Sequence, residues 1–335
     1  MDDANPDFDQ TPTNGSNGPS ANAPGPGPAQ AVPPPRPFVE KVFFGYDGLR
    51  SGWRILIFLA VAAICILAFG GMFAILLHKR RIGQTQNFSP ATLILGEGIP
   101  LAGVLIAAWI MSKIERRTFA DFGLSFRHFA GAKFLLGAFW GWLALTALLL
   151  GIRVLHGFAF GSLALHGPAA ARYAIFWAAA FMIVGLFEEF GVRGYLLSTL
   201  TEGIGFWPAA IMLSIIFGAG HLHNPGEDWV GGLAAGLIGF FFCFTLRRLG
   251  TLWFAVGFHA AWDYAESFIY SVPNSGIAAQ GHLMNSSFHG PSWLTGGRVG
   301  PEGSLLVFAV IGVAFILFDR VHRHAEFPLH LPRAT

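Results

Sequence analysis

Ala178-Ala179-Ala180-Phe181-Met182-Ile183-Val184-Gly185-Leu186-Phe187-Glu188-Glu189-Phe190-Gly191-Val192-Arg193 is an apolar run that ends in two carboxylates and a guanidinium. It lies inside a longer hydrophobic stretch, 172–200, so the charges fall well away from either end. A charge at bilayer depth costs about 3 kcal/mol or more, and such residues persist mainly where they pair with one another or do chemistry. The stretch therefore reads as a membrane-spanning helix that turns a polar face toward other helices. A single helix has no such interior, so the fold must be a bundle.

Composition points the same way. Hydrophobic residues make up 53% of the chain and charged residues only 12%, a balance that leaves too little polar surface for a water-soluble fold. The expected fold class is all-α, a polytopic transmembrane helical bundle in the lipid bilayer. Stretches of about twenty apolar residues suggest about eight membrane-spanning helices, at 55–77, 91–112, 133–152, 172–200, 205–222, 229–246, 250–271 and 303–318. The fourth is long enough that it must tilt, bend or emerge from the membrane. A net charge of +2, with no basic run longer than Lys79-Arg80-Arg81, leaves no footprint for a polyanion, and no nucleic acid is expected as a partner. Cys65 and Cys243 lie far apart in apolar runs, which argues against a disulfide frame or a thiolate metal site.

Residues 1–40, rich in Pro, Gly and Asn and containing Pro33-Pro34-Pro35-Arg36-Pro37, are expected to be a disordered cytoplasmic tail. This segment lacks the basic region and apolar core of a cleaved signal peptide, so the first helix is expected to direct insertion. The bundle is expected over 41–324, with its catalytic core at 172–272, and a C-terminal tail at 325–335. Of the 21 Lys and Arg residues, 15 fall on the side of the N-terminus and 6 opposite. By the positive-inside rule both termini are cytoplasmic. The charged and aromatic segment 115–124 suits a short interfacial turn or helix, and the Gly-, Ser- and Asn-rich stretch 273–302 reads as a long irregular loop, a solvated connector in preference to a lid over an outer opening. There is no internal repeat of the kind that marks an inverted-repeat transporter.

Three short motifs concentrate the chemistry: Glu188-Glu189-x-x-x-Arg193, Phe217-x-x-x-His221 and His259-x-x-x-Asp263. Residues four apart on a helix share a face, while adjacent residues diverge by about 100°. Glu189 and Arg193 are thus expected to form a structural ion pair, which leaves Glu188 turned to another face and free for chemistry. The same spacing stacks His259 over Asp263 and packs Phe217 against His221. Gly191, Gly194, Gly218 and Gly220 flank these positions and permit close helix approach. A cavity lined by Glu188, His221, His259 and Asp263 is therefore the candidate site. Glu188, aided by His221, is suited to act as general base on water, and His259 to stabilise an oxyanion. The same four residues are equally of the type that holds Zn2+, which would polarise a carbonyl and activate its water, although the His-Glu-x-x-His signature is absent.

At these residues the chain resembles the CPBP family, the CAAX prenyl protease and bacteriocin-processing (Abi) intramembrane proteases. The likeness runs over 172–272 and extends to Gly194-Tyr195-Leu196-Leu197, Gly250-Thr251-Leu252-Trp253 and the segment 115–124. It implies a metallo- or glutamate-dependent endopeptidase of the type that removes the last three residues of prenylated proteins in eukaryotes. Its substrate would be a membrane-associated protein or peptide, and its location the inner (plasma) membrane of a bacterium. By this resemblance Glu188 and His221 activate the water, while His259 and Asp263 hold the oxyanion or help to bind metal. Many members carry Asn where this chain has Asp263. An ionised Asp cannot donate to an oxyanion, so orienting His259 or binding metal suits Asp263 better. Two further classes use the same residues: a non-catalytic immunity or scaffold protein that binds another membrane component, and an ion-coupled transporter with a proton relay. Glu97, His223, His282 and His289 receive no catalytic role.

Overall fold

The computed structural model describes residues 38–45, 48–80, 88–125, 131–224, 226–277 and 279–327. The chain divides into two units, Met1–Val42 and Phe43–Thr335. Residues 1–37 of the expected N-terminal tail and 328–335 of the expected C-terminal tail lie outside the described residues. A short helix covers Phe38–Phe43.

The second unit is helical. Its helices are α1 Ser51–Arg80, α2 Pro90–Ile114, α3 Ala132–Val154, α4 Gly167–Phe190, α5 Leu197–Ile204, α6 Phe206–His221, α7 Trp229–Leu249, α8 Trp253–Tyr264 and α9 Leu306–Val321. Local sequence sets several boundaries. Ser89 and Thr92 form a reciprocal cap at the start of α2 with Pro90 in its first turn. The Asp228 carboxylate accepts from the Val230 and Gly231 amides at 2.8 and 3.2 Å to start α7. Strands are minor: β1 Phe44–Gly45 pairs antiparallel with β2 Gly48–Leu49, and β3 Phe158–Ala159 with β4 Ser287–Phe288, Phe158 opposite Phe288.

Among the described residues, five helical segments are long and apolar enough to cross a membrane: Ser51–Leu76, Pro90–Ile114, Ala132–Val154, Gly167–Ile204 and Trp229–Leu249. The polytopic helical bundle is as expected, with somewhat fewer such segments than the expected eight or so. The stretches 205–222, 250–271 and 303–318 hold α6, α8 and α9, of 16, 12 and 16 residues. Sixteen residues rise about 24 Å, short of a hydrocarbon core of about 30 Å. The apolar run of α8 has a different cause. Its residues Trp253 to Phe258 are all buried against other helices, so their hydrophobicity packs the core of the bundle. The lipid-type surface lies elsewhere, in large apolar side chains that face outward, such as Ile64 and Leu67 on α1 and Ile215 on α6.

The bend foreseen for the long fourth stretch is a π-helical turn, Gly191–Leu196, between α4 and α5. A second π turn, Ala265–Ile269, follows α8 directly. The first carries Arg193 of its charged motif and the second begins two residues after Asp263, which fits the tendency of π turns to occur at functional sites.

Helix α8 sits against α3 and α4, and α6 against α7. Glycine makes these approaches possible. A Cβ at Gly141 of α3 would lie 2.1 Å from the Phe258 carbonyl oxygen, and one at Gly257 of α8 would lie 2.2 Å from that of Phe134. The backbones touch where any side chain would hold them apart. Where the membrane helices end, Arg54 pairs with both Glu115 and Glu202, Arg117 pairs with Glu202, and the Tyr195 hydroxyl donates to Glu115. The segment 115–124, expected at the interface, is therefore tied inward, with Phe122 and Leu124 buried at 0% and 1% exposure. The expected C-terminal tail begins similarly: Phe327 is buried and packs on Phe206.

Gly141→Val should break the α3–α8 contact and cost roughly 1–3 kcal/mol or more as an overpacked position. In detergent its apparent thermal midpoint is expected to fall by about 5 °C or more. Gly312→Ala on α9, where a Cβ meets nothing within 4 Å, should leave the midpoint unchanged.

Candidate active site

Glu188 and Glu189 end α4, and the π turn carries the chain on to Arg193. The two adjacent carboxylates have separate surroundings. Glu189 and Arg193 are wholly buried, and Arg193 Nη1 donates to Glu189 Oε1 at 2.9 Å. The guanidinium also lies over the Phe217 ring of α6 at 4.2 Å and near Phe242 of α7 at 5.7 Å, a cation–π arrangement that compensates for lost hydration. Glu188 points elsewhere and keeps 24% side-chain exposure.

Helix α8 brings His259 into this group. Its Nδ1 lies 2.9 Å from Glu189 Oε1. An ionised carboxylate only accepts, so Nδ1 is the donor, and Nε2 is the nitrogen left to face the cleft. That Nε2 lies 3.7 Å from Glu188 Oε2 and 3.5 Å from Asp263 Oδ2. These separations exceed a direct hydrogen bond and are of the size that a small movement or a bridging water closes. His221, at the end of α6, has Nδ1 2.9 Å from the Phe217 carbonyl oxygen, to which it donates. Its ring packs on that of Phe217 at 4.5 Å.

A cavity of about 70 Å³ opens beside these groups, room for several water molecules. His221, His259 and Asp263 line it, together with Ala234, Ile238, Phe242, Phe258 and Trp262. Glu188 is not among the lining residues; it reaches the site through His259. The site therefore unites three predicted residues around the cavity and adds the fourth at its edge.

Sequence reasoning missed three acids. Glu227, in the turn before α7, and Glu302, in the 3-10 turn Pro301–Gly303, line the cavity, and Glu266 sits fully buried one turn beyond Asp263. Burial, followed by the neighbouring charge of Glu302, pushes the Glu227 carboxyl up to about 7. Glu302 belongs to the stretch 273–302, read from sequence as a loop with no assigned chemistry, and it stands in the cavity wall. Glu266 stands three residues after Asp263 on one helical face, a spacing that could have revealed it. Glu97 of α2 is close enough to Glu188 for their charges to interact. His223, His282 and His289 bond locally, to Gly220, Ala279 and Ser287, and stay outside the cavity lining.

The expected zinc set was tested against the donor positions. Among the described residues, the one group of ligand-type side chains with atoms within 4.8 Å of one another is Asp263, Glu266 and Glu302. Glu188, His221, His259 and Asp263 are not gathered in this way, and as they stand they do not form a shared zinc shell.

The fold and the site define a polytopic α-helical membrane protein with a carboxylate and imidazole centre at a cavity inside the bundle. Residues 170–265 match the Rce1-like family, described as Type II CAAX prenyl endopeptidase Rce1-like. The match runs from α4 to α8, covers all three motifs and agrees with the CPBP resemblance. No curated protein matches the chain.

Arg193→Ala would leave Glu189 buried without its counter-charge, a loss of roughly 3–5 kcal/mol for a broken buried pair. It should appear as a depleted folded fraction in size-exclusion chromatography and a lowered thermal midpoint. The double variant Glu189→Gln, Arg193→Met, which removes both charges, should recover part of that loss.

Proposed function

We propose that the protein is an intramembrane endopeptidase that hydrolyses a peptide bond of a membrane-associated protein or peptide. The observation that carries this reading is His259, anchored through Nδ1 by the buried Glu189 and turning Nε2 toward Glu188 and Asp263 at the cavity. The match of residues 170–265 to a prenyl endopeptidase family supports it.

In the proposed reaction Glu188 is the general base. Its carboxylate takes a proton from water, and the oxygen attacks the carbonyl carbon of the scissile bond. The negative charge that develops on the carbonyl oxygen is met by His259, whose imidazolium donates from both nitrogens, Nδ1 to Glu189 and Nε2 to the oxyanion. Asp263, on the same helix face, orients the ring and balances its charge. The C–N bond then breaks, and the proton held by Glu188 passes to the leaving amine, with His221 as the second proton carrier on the cavity wall. The apolar lining limits the water near these groups and strengthens each electrostatic contact. The side chains supply every proton transfer in this scheme, and Glu188, His221, His259 and Asp263 as they stand do not present three ligand atoms within 4.8 Å of one another.

Purified protein in detergent should cleave a membrane-associated peptide, and Glu188→Ala should slow this by about 10²–10⁴-fold, the range for a general base, with an unchanged thermal midpoint. Full cleavage by that variant would refute the mechanism and favour a binding protein. Comparative membrane proteomics of cells with wild type and Glu188→Ala would identify the natural substrate. For the cofactor, activity should survive removal of zinc by a zinc-selective chelator that leaves Ca2+ and Mg2+ in place. Loss on chelation with recovery on adding zinc would instead assign the reaction to metal-activated water.

A further inference from the structure

Next to the catalytic groups lies a second cluster, which shares Asp263 with the proposed hydrolysis and adds two acids that the hydrolysis does not use. Asp263 of α8, Glu266 of the following π turn and Glu302 of the 3-10 turn each offer a carboxylate oxygen, all within 4.8 Å of one another. Two oxygens that both coordinate one ion at 2.3–2.6 Å can lie at most about 5 Å apart, and these three fall inside that limit.

The state of Glu266 is a separate observation. Its side chain has 0% exposure, and neither oxygen accepts a hydrogen bond from the described residues. The Trp262 indole lies beside it but outside hydrogen-bonding geometry. A buried carboxylate left in that state is costly, and proteins keep buried charges where they are paired or coordinate a metal. Among the described residues neither Glu266 nor Glu302 has a Lys, Arg or His partner within ion-pair distance, and Asp263 has only His259, at 3.5 Å. Glu302 is held in place: the Ser275 amide and hydroxyl both donate to its Oε2 at 3.1 Å, which leaves Oε1 for another contact.

We infer that Asp263, Glu266 and Glu302 form a binding site for one hard divalent cation, of the Ca2+, Mg2+ or Mn2+ class. An all-oxygen donor set suits those ions better than zinc. The ion would join the end of α8 to the 3-10 turn Pro301–Gly303, whose Glu302 lines the cavity, and it would hold Asp263 beside His259. The inference goes beyond the proposed hydrolysis and does not depend on it.

The test is Mn2+ binding, followed by electron paramagnetic resonance, on the purified full chain in detergent after chelation and desalting. Wild type should bind one Mn2+ per chain saturably, with displacement by Ca2+. Glu266→Gln and Glu302→Gln, nearly isosteric changes, should each weaken binding at least tenfold, whereas Glu188→Ala should bind as wild type. Added Ca2+ should raise the thermal midpoint of wild type and not that of the two Gln variants. Absence of saturable Mn2+ binding to wild type would overturn the inference, and this measurement does not depend on how the variants fold. Wild-type affinity in both Gln variants would also overturn it. So would loss of binding in Glu188→Ala, which would move the ion to the imidazole site. None of these readings requires peptide cleavage, so failure of the cation site and failure of the protease reading are distinguishable.

Discussion

One carboxylate oxygen organises this protein. Glu189 Oε1 takes a hydrogen bond from Arg193 Nη1 and another from His259 Nδ1, both at 2.9 Å. The first fixes the π turn after α4 and the second attaches α4 to α8. Through the Arg193 guanidinium the same group reaches Phe217 on α6 and Phe242 on α7. Four helices thus converge on a buried ion pair that none of them could carry alone, because each partner would otherwise be an uncompensated charge in a low-dielectric interior. The position of His259 follows from this interaction. Its other ring nitrogen has one direction left to face, and that is the cavity.

Such a contact requires backbones unusually close together. Gly185 of α4 approaches the Val256 carbonyl of α8, where a Cβ would lie 3.1 Å away, and Gly218 of α6 approaches the Gly232 carbonyl of α7, where it would lie 2.5 Å away. With Gly141 and Gly257 on the far side of α8, small residues set the distances over which the charged groups meet. Packing and chemistry are therefore one problem here. A methyl group at several of these glycines would move the imidazole away from its anchor before it changed any polar atom.

Much of this was legible in the sequence because helices repeat. The four-residue spacing of Glu189 and Arg193 made their pairing readable, and it separated Glu188 from Glu189 correctly, at 24% and 0% exposure. Spacing acts within one helix, however, and the rest of the site crosses between helices. That Glu189 serves His259 as well as Arg193 depends on the approach of α4 to α8, which no local pattern encodes. Hydropathy was misleading in a different way. It measures apolar composition and not what the side chains face, so α8, apolar because it fills the centre of the bundle, looked like one more lipid-exposed span. Glu302 was out of reach because a Gly- and Ser-rich segment carries no periodicity to place it. Glu266 was within reach, one turn beyond Asp263.

The enclosure of α8 also bears on how the protein is made. It is 12 residues long, carries His259 and Asp263, and is surrounded by α3, α4 and α7. A helix so short, with two ionisable side chains within it, has little tendency to partition into lipid as a solitary segment. The three helices with the most extensive contacts to α8 precede it in the chain, and translation runs from the N-terminus; α9 adds Phe318 against Phe254 afterwards. Most of the cradle thus exists when α8 leaves the ribosome, and α8 can enter protein instead of lipid. The order of the helices along the gene is in this sense an assembly schedule, in which the segment least able to stand alone arrives after its shelter.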